Sequence, residues 1–168
     1  MANKPIVYFT GPDRLLPNGA KRLADAAALA ERYGFQAALL PPEALDLHTD
    51  APTAAAARMR VMDSCDLVLA DTRDFRGTEP FAACGFDLGY CYGKDKKLYC
   101  YMEDARSCEE RYPGPTTLNE KGRKVDLDGF GFESGPLNLM LLAPSTVVEG
   151  TLEDALARAA ADFFPQEV

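Results

Sequence analysis

Histidine is nearly absent from this sequence, since His48 is the only one among 168 residues. Chemistry that needs two imidazoles is therefore excluded, and a Ser-His-Asp triad would depend on that single residue. Cysteine occurs five times, an odd number without a C-x-x-C pair, which indicates neither a disulfide framework nor a thiolate zinc site. We predict no metal site and a reduced, cytoplasmic compartment.

Clustered positive charge and long apolar runs are lacking as well. The 18 basic residues are outnumbered by 26 acidic ones, and the formal net charge is −8. Nucleic acid polymers and anionic membrane surfaces need clustered Lys and Arg, so neither is an expected partner. The apolar run from Ile6 to Phe9 is too short for a signal peptide or a membrane span.

The glycine-rich motifs of nucleotide-binding folds are also missing. No G-x-G-x-x-G pattern follows the first predicted strand, and the chain has no Walker A sequence. This disfavours dinucleotide and nucleoside triphosphate chemistry. The length fits one domain over residues 1–168 and not an enzyme with a separate cofactor domain.

Short apolar runs alternate with segments of helical periodicity. The pattern predicts strands over residues 6–10, 35–40, 67–70, 98–102 and 146–148. Between them it predicts helices over 19–33, 54–62 with Thr53 as N-cap, from the N-cap Thr78 to Gly93, and over 151–164. Residues 43–52 are predicted to be a loop, and 104–136 a surface excursion with room for one short helix.

This alternation predicts the fold class. Strands that alternate with helices form βαβ units with a parallel sheet between helical layers. We therefore predict a single doubly wound α/β domain, Rossmann-like or flavodoxin-like, with about five parallel strands flanked by helices. Such sheets bind ligands at the carboxyl ends of their strands.

One carboxylate lies within an otherwise apolar helical segment. From Pro80 to Gly93, Asp87 is the only acidic residue. A helix that is apolar on every face is buried, and an isolated carboxylate there is costly unless it has a partner. Two interpretations stay open: Asp87 pairs with an Arg or a Tyr hydroxyl and only fixes packing, or a dry pocket tunes it as a nucleophile.

A second polar group directly follows the third predicted strand. Asp71, Asp74, Arg76 and Glu79 lie in one loop at the ligand-binding edge of the sheet, and Phe75 is available to stack on a planar group. Local ion pairs in a solvated loop would explain the same residues. The position of this loop directly before the apolar helical segment favours a functional role.

Five short segments carry a family pattern: IVYFTGP at 6–12, CDLVLAD at 65–71, FRGTEP at 75–80, FDLGY at 86–90, and GFGF at 129–132 with NLM at 138–140. In this order and spacing they resemble the nucleoside 2-deoxyribosyltransferase family. That family transfers a 2-deoxyribosyl group between nucleobases with retention, through a covalent glycosyl-enzyme on a helix carboxylate. The resemblance implies no metal and no organic cofactor.

The resemblance also implies roles for individual residues. Asp87 stands at the family's nucleophilic glutamate, and Tyr8 at the tyrosine beside it. Asn138 and Met140 match residues that a neighbouring subunit supplies, which implies a homo-oligomer acting on nucleosides and free nucleobases. The implied substrate-binding residues of the chain itself are Gly11, Pro12, Asp71, Phe75, Arg76, Gly77, Glu79 and Phe81. Without the resemblance, Tyr8 and Met140 would be interpreted as core residues.

The chain departs from the family at two important positions. Asp87 is one methylene shorter than glutamate, and a misplacement of about 1 Å can lower a rate roughly 100-fold. Phe81 replaces an acid that handles the base and its proton, and Phe can stack on a base but cannot protonate it.

Three functions therefore stay open: a transferase with altered base or sugar preference, an N-glycoside hydrolase of nucleosides or nucleotides, and a nucleoside-binding protein without turnover. Free nucleosides are the expected ligands, because Cys84 and Gly85 make a poor phosphate cradle.

Overall fold

The computed structural model describes residues 3–165, so residues 1, 2 and 166–168 of the predicted domain lie outside the description. In chain order the strands are β1 (Ile6–Thr10), β2 (Gln36–Ala38), β3 (Leu67–Asp71), β4 (Lys97–Met102), β5 (Thr116–Leu118), β6 (Lys124–Asp126) and β7 (Thr146–Glu149). Five of them form one sheet in the order β2-β1-β3-β4-β7, and every neighbouring pair is parallel. The predicted parallel sheet of five strands is confirmed.

Helices flank this sheet and connect its strands. They are α1 (Gly19–Arg32), α2 (Pro42–Leu45), α3 (Ala51–Ser64), α4 (Ala82–Tyr92), α5 (Cys108–Arg111), α6 (Leu139–Leu142) and α7 (Leu152–Phe163), and a single 3-10 turn spans Pro12–Leu15. The predicted doubly wound α/β fold is thus confirmed. None of the helices within residues 3–165 is long and apolar enough to cross a membrane.

Two helices begin elsewhere than predicted. The N-cap of α3 is Asp50, whose carboxylate accepts a hydrogen bond of 3.0 Å from the Thr53 amide. Thr53 therefore lies inside the helix, since Asp50 caps it one turn earlier. The N-cap of α4 is Phe81 and not Thr78. The chain stays non-helical up to Phe81 because the Phe75 amide donates to the Glu79 carbonyl at 3.0 Å and closes the loop on itself.

Two loop predictions are also corrected. Residues 43–52 are not all loop, because Pro42 opens α2, where its fixed φ suits a first helical turn. The excursion over 104–136 contains more regular structure than the one short helix that was predicted. In it, α5 is followed by an antiparallel hairpin of β5 and β6. The hairpin turn is shaped by Asn119, whose side-chain oxygen accepts from the amides of Lys121 and Arg123.

The alternation of side chains along β1 divides the core into two layers and positions the site. Val7 and Phe9 face the layer of α1 and α7, whereas Tyr8 faces the layer of α3 and α4. Strand β3, in the middle of the sheet, is buried along its whole length. Polar side chains of β1 on the Tyr8 side therefore point into a dry space between the sheet and α4.

Candidate active site

The carboxylate of Asp87 lies at the centre of a buried polar cluster. Its side chain is 2% exposed, and its Oδ2 atom accepts from the Tyr8 hydroxyl at 2.9 Å and from the Thr10 hydroxyl at 2.6 Å. The Arg58 guanidinium also donates to Oδ2 and forms an ion pair with it. Within the described chain, Oδ1 accepts no hydrogen bond from the protein. The carboxylate is thus held by one oxygen and free at the other.

Three different elements supply these groups. Tyr8 and Thr10 are alternate residues of β1 and so lie on the same side of the strand. Asp87 is in the second turn of α4, and Arg58 is near the middle of α3. The Arg58 guanidinium also donates to the Tyr8 hydroxyl at 3.2 Å, which closes the cluster into a network. The cluster therefore depends on how both helices pack on β1.

The electrostatics of the cluster fix which groups carry charge. Burial and the negative charge of Asp87 raise the pKa of Tyr8 well above its usual value, so the phenol stays protonated and donates. For Arg58, burial lowers the pKa, but Tyr8 and Asp87 outweigh it and the pKa is raised. Burial also raises the pKa of Cys84 to about 12, so this nearby thiol is not a nucleophile at neutral pH.

Two concave spaces adjoin the cluster. The larger, a cleft of about 960 Å³, lies at the carboxyl ends of the strands and includes Thr10, Gly11 and Asp71 in its lining. The smaller, about 410 Å³, is lined by Asp87 together with residues of α2, α3 and α4. Arg14 and Arg58 line both spaces. Both volumes fall in the range of small-molecule sites, so a nucleoside can be accommodated beside Asp87.

Arg14 is a second arginine near Asp87, in the 3-10 turn that follows β1. Its side chain is partly buried, and its Nε atom is shielded from solvent with no hydrogen-bond partner in the described chain. The guanidinium carbon lies 5.1 Å from the centre of the Phe81 ring, in a cation–π contact. Burial and the like charge of Arg58 lower the pKa of Arg14.

Gly11, Pro12 and Asp71, three of the predicted binding residues, hold the ends of β1 and β3 together. A Cβ atom added to Gly11 would lie 2.7 Å from the Cβ of Asp71, so the two strands approach closely only because residue 11 has no side chain. Pro12 is buried and opens the 3-10 turn. The carboxylate of Asp71 forms an ion pair with Arg73 at the wall of the cleft.

The loop after Asp71 folds as an aromatic turn. Phe75 packs edge-to-face on Phe81 with ring centres 5.2 Å apart, and Arg76 lies 5.0 Å above the Phe75 ring. Arg76 and Gly77 both have positive φ, 55° and 146°. Of the predicted binding residues, this turn contains five that line neither concave space: Phe75, Arg76, Gly77, Glu79 and Phe81. Phe81 connects to the site through Arg14.

Asn138 and Met140 lie on the surface at the start of α6. The Asn138 side chain caps this helix by accepting from the Met140 amide at 2.9 Å, and it donates to Glu133 at 3.1 Å. Met140 is 80% exposed, so it is not a core residue. Neither residue lines a concave space of its own chain.

Sequence reasoning did not identify Arg58, Arg14 or Thr10. A signal for Arg58 was available, because it lies one turn from Met62 on the side of α3 that faces the core. Thr10 was inside a quoted motif but carried no assigned role. In residues 3–165, no group of three or more His, Cys, Asp or Glu side chains is placed to bind a metal ion.

Comparison with known proteins identifies the family of the chain. The family model described as nucleoside 2-deoxyribosyltransferase matches residues 7–140. The structure is similar to that of the 2-desoxiribosyltransferase from Leishmania mexicana, at 26% sequence identity and a TM-score of 0.74, covering 93% of this chain and 97% of that one.

A conserved protein from Enterococcus faecalis V583 has a similar fold at 17% identity, with a TM-score of 0.56 and coverage of 92% and 96%. No sequence among curated proteins matches the chain significantly. The resemblance predicted from the sequence segments is confirmed, and this chain belongs to the nucleoside 2-deoxyribosyltransferase family.

Proposed function

We propose that the chain transfers a 2-deoxyribosyl group between nucleobases and that Asp87 is the nucleophile. The observation that carries this proposal is the one-sided binding of the carboxylate: three donors hold Oδ2, and Oδ1 accepts from no described residue. A carboxylate used only for packing would be expected to have both oxygens satisfied. Membership of the family and the space of about 410 Å³ that Asp87 lines support the same conclusion.

In the proposed reaction, Oδ1 of Asp87 attacks the anomeric carbon while the bond to the first base breaks. This gives a covalent glycosyl-enzyme, and attack by a second base restores the original configuration. Tyr8, Thr10 and Arg58 hold the carboxylate in one orientation during the first step. In the ester, Oδ2 is the carbonyl oxygen, and the same donors polarise it so that the carboxylate can leave.

The shorter aspartate side chain requires a closer approach of the sugar to α4. Ala83, one turn before Asp87 on this helix, has a small side chain and lines the space beside Asp87. The donors from β1 and α3 hold the Asp87 carboxylate rigidly, and this fixed position compensates for the shorter side chain.

Hydrolysis is the second candidate function. The cleft of about 960 Å³ is larger than a nucleoside and is lined by many charged side chains, which retain water. Water that reaches the glycosyl-enzyme would release the free sugar. Transfer and hydrolysis share the first step and differ only in the acceptor.

Two further features belong to this proposal. Asn138 and the exposed Met140 would complete the site of a neighbouring subunit in a homo-oligomer, since they line no space of their own chain.

The cytoplasm is the proposed compartment, because all five cysteines are free thiols, as a reducing environment favours.

A base-exchange assay tests the proposed function. Deoxynucleosides and ribonucleosides are incubated with a different free base, and the products are separated by chromatography. New nucleoside should form only with acceptor present, and Asp87→Ala should lower the rate by ~1,000-fold or more. Asp63→Ala, which changes a surface aspartate bound to Tyr90 and Lys94, is the matched control.

The outcomes separate the candidates. Base released equally fast without acceptor would identify a hydrolase. Full activity in Asp87→Ala would contradict the proposed nucleophile. Binding of nucleosides without any turnover would identify a binding protein.

A further inference from the structure

All but one of the cationic side chains that line the large cleft form ion pairs with a carboxylate. Arg14 lines the cleft and has no carboxylate partner among the described residues. Every other cation of the lining forms an ion pair: Lys21 with Asp25, Arg22 with Asp13, Arg58 with Asp87, Arg73 with Asp71, Arg106 with Asp104, and Arg111 with Asp74.

Arg14 carries its charge under unfavourable conditions. Its Nε atom is shielded from water and has no partner in the described chain, and Arg58 is a like charge nearby. An N–H group that loses water without gaining an acceptor destabilises the protein. A ligand that brings an electron-rich or anionic atom to Arg14 relieves both penalties.

The position of Arg14 indicates which part of the substrate it meets. Its guanidinium lies over Phe81, the residue at which the chain departs from the family by lacking an acid that handles the base. Phe75 packs edge-to-face against the same Phe81 ring. Arg14 also lines the small space that contains Asp87. Arg14 thus shares a space with the nucleophile and contacts the residue that replaces the family's base-handling acid, which associates it with the base of the substrate.

We propose that Arg14 stabilises the departing nucleobase as an anion, and that the preferred substrates are pyrimidine nucleosides, whose base has a carbonyl group beside the glycosidic nitrogen. This inference rests on the proposed function. Arginine cannot act as a proton donor at neutral pH, but its N–H groups bind developing negative charge strongly in a site with little water.

The step balances without an acid. The bond from Asp87 Oδ1 to the anomeric carbon forms as the bond from that carbon to the base nitrogen breaks. The electron pair stays on the base, its charge spreads onto the carbonyl oxygen beside that nitrogen, and Arg14 donates to this oxygen. The released anion then takes a proton from water.

Purine nucleosides lack this carbonyl group. Their bases leave readily when an acid protonates the imidazole ring, and Phe81 cannot supply that proton. Release of a base as an anion also depends steeply on the acidity of that base, whereas protonation by an enzyme acid makes the dependence shallow.

The first test uses the unmodified protein. Release of base in a single turnover is measured for 2′-deoxyuridine and its 5-fluoro and 5-methyl derivatives, which differ in the acidity of the base. The rate should rise at least ~10-fold from the 5-methyl to the 5-fluoro compound and should exceed that of 2′-deoxyadenosine. A flat series, or preference for the purine, would overturn the inference.

The second test changes Arg14. We expect Arg14→Met to lower kcat/KM for 2′-deoxyuridine ~100-fold and Arg14→Lys to lower it less, since Lys keeps the charge. The matched control is Arg158→Met, which removes a surface arginine paired with Asp162 outside the site. Heat unfolding shows whether each variant folds, and if Arg14→Met does not, the substrate series and Arg14→Lys decide.

Different results would contradict the proposed function and the role of Arg14. If the unmodified protein neither transfers the sugar nor releases base from any nucleoside, the proposed function itself is wrong. If Asp87→Ala is inactive but Arg14→Met keeps the rate and the acidity dependence of the unmodified protein, only the role of Arg14 is wrong.

Discussion

At the scale of single residues, the buried ion pair of Asp87 and Arg58 has a cost and a use. Two charges removed from water stabilise a fold little, whereas breaking such a pair leaves one charge buried alone. The side chain of Arg58 is 11% exposed, so water cannot replace it easily. The use of the pair is geometric, because Arg58 holds Oδ2 in place and leaves Oδ1 without a protein partner among the described residues.

Arg58→Met therefore tests a positioning role. We expect kcat to fall ~100-fold with little change in KM, because the nucleophile is misplaced while the cleft still binds substrate. The free energy of unfolding should also fall by roughly 3 kcal/mol, since Asp87 loses its ionic partner. Arg58→Lys should restore part of kcat. Equal losses in kcat for the Met and Lys variants, or a change confined to KM, would contradict the role.

The raised pKa of Tyr8 predicts that the free energy of unfolding depends on pH in the alkaline range. Burial and Asp87 raise its pKa in the folded chain, so between the ordinary and the raised value the folded state binds a proton that the unfolded state has lost. Its contribution is complete below pH ~10 and is lost as the pH rises further, by up to ~1.4 kcal/mol per pH unit.

Denaturant unfolding of the unmodified protein and Tyr8→Phe, measured from pH 8 upward, checks this dependence. The free energy of unfolding should fall less steeply above pH ~10 in Tyr8→Phe, because the titrating hydroxyl is gone. Tyr92→Phe, which changes an exposed tyrosine, is the control. Parallel curves for Tyr8→Phe and the unmodified protein would show that Tyr8 does not contribute.

The candidate site was only partly predictable at this scale. Asp87 could be identified from the sequence alone, because a single acidic residue in an otherwise apolar helical segment is visible there. The identity of its partners depends on contacts between residues 29 and 79 positions apart, which no local pattern encodes. The role of Arg14 was equally unpredictable, because its lack of a partner becomes visible only in the folded chain.

At the scale of elements, the close contact of β1 and β3 depends on one missing side chain. We expect Gly11→Ala to lower the free energy of unfolding by ~1–3 kcal/mol, because its Cβ would overlap that of Asp71 and push the strand ends apart. Gly89→Ala in α4 is the control, since its Cβ meets nothing within 4 Å and should stabilise the helix by up to ~1 kcal/mol. Equal unfolding midpoints for Gly11→Ala and the unmodified chain would contradict the contact.

Element boundaries show where local signals compete. Asp50 and Thr53 are both good N-caps, and only the fold shows that the earlier one is used. For α4, a hydrogen bond between Phe75 and Glu79 keeps the loop closed past Thr78. The strands of the missed hairpin have three residues each, too few for a period-two pattern to be visible.

At the scale of the whole molecule, the alternation of strands and helices was enough to predict the fold class. The strand order was not predictable in the same way, because it depends on which strands pair across the sheet. That order places β1 between β2 and β3 and brings Thr10 and Asp71 to one edge. The site lies where these two neighbouring strands end, as doubly wound sheets favour.

The proposed sharing of sites between subunits can be tested by complementation. Asp87→Ala lacks the nucleophile, and Met140→Glu should damage the neighbouring site that this exposed side chain completes. After slow mixing that allows subunits to exchange, the two variants should regain activity that neither has alone, because some mixed sites contain both original residues. Size-exclusion chromatography of each variant monitors assembly. An active Met140→Glu variant, or a mixture as inactive as its parts, would contradict sharing.

The paired charges of the cleft have a consequence for how molecules arrive there. Seven cationic and seven anionic side chains line it, although the chain as a whole has a formal charge of −8. The mouth is therefore close to electrically neutral on an acidic protein. Uncharged nucleosides enter by plain diffusion, whereas phosphorylated ones are repelled by the surrounding surface and gain no steering at the entrance. The encounter rate of the proposed substrates is consequently insensitive to ionic strength.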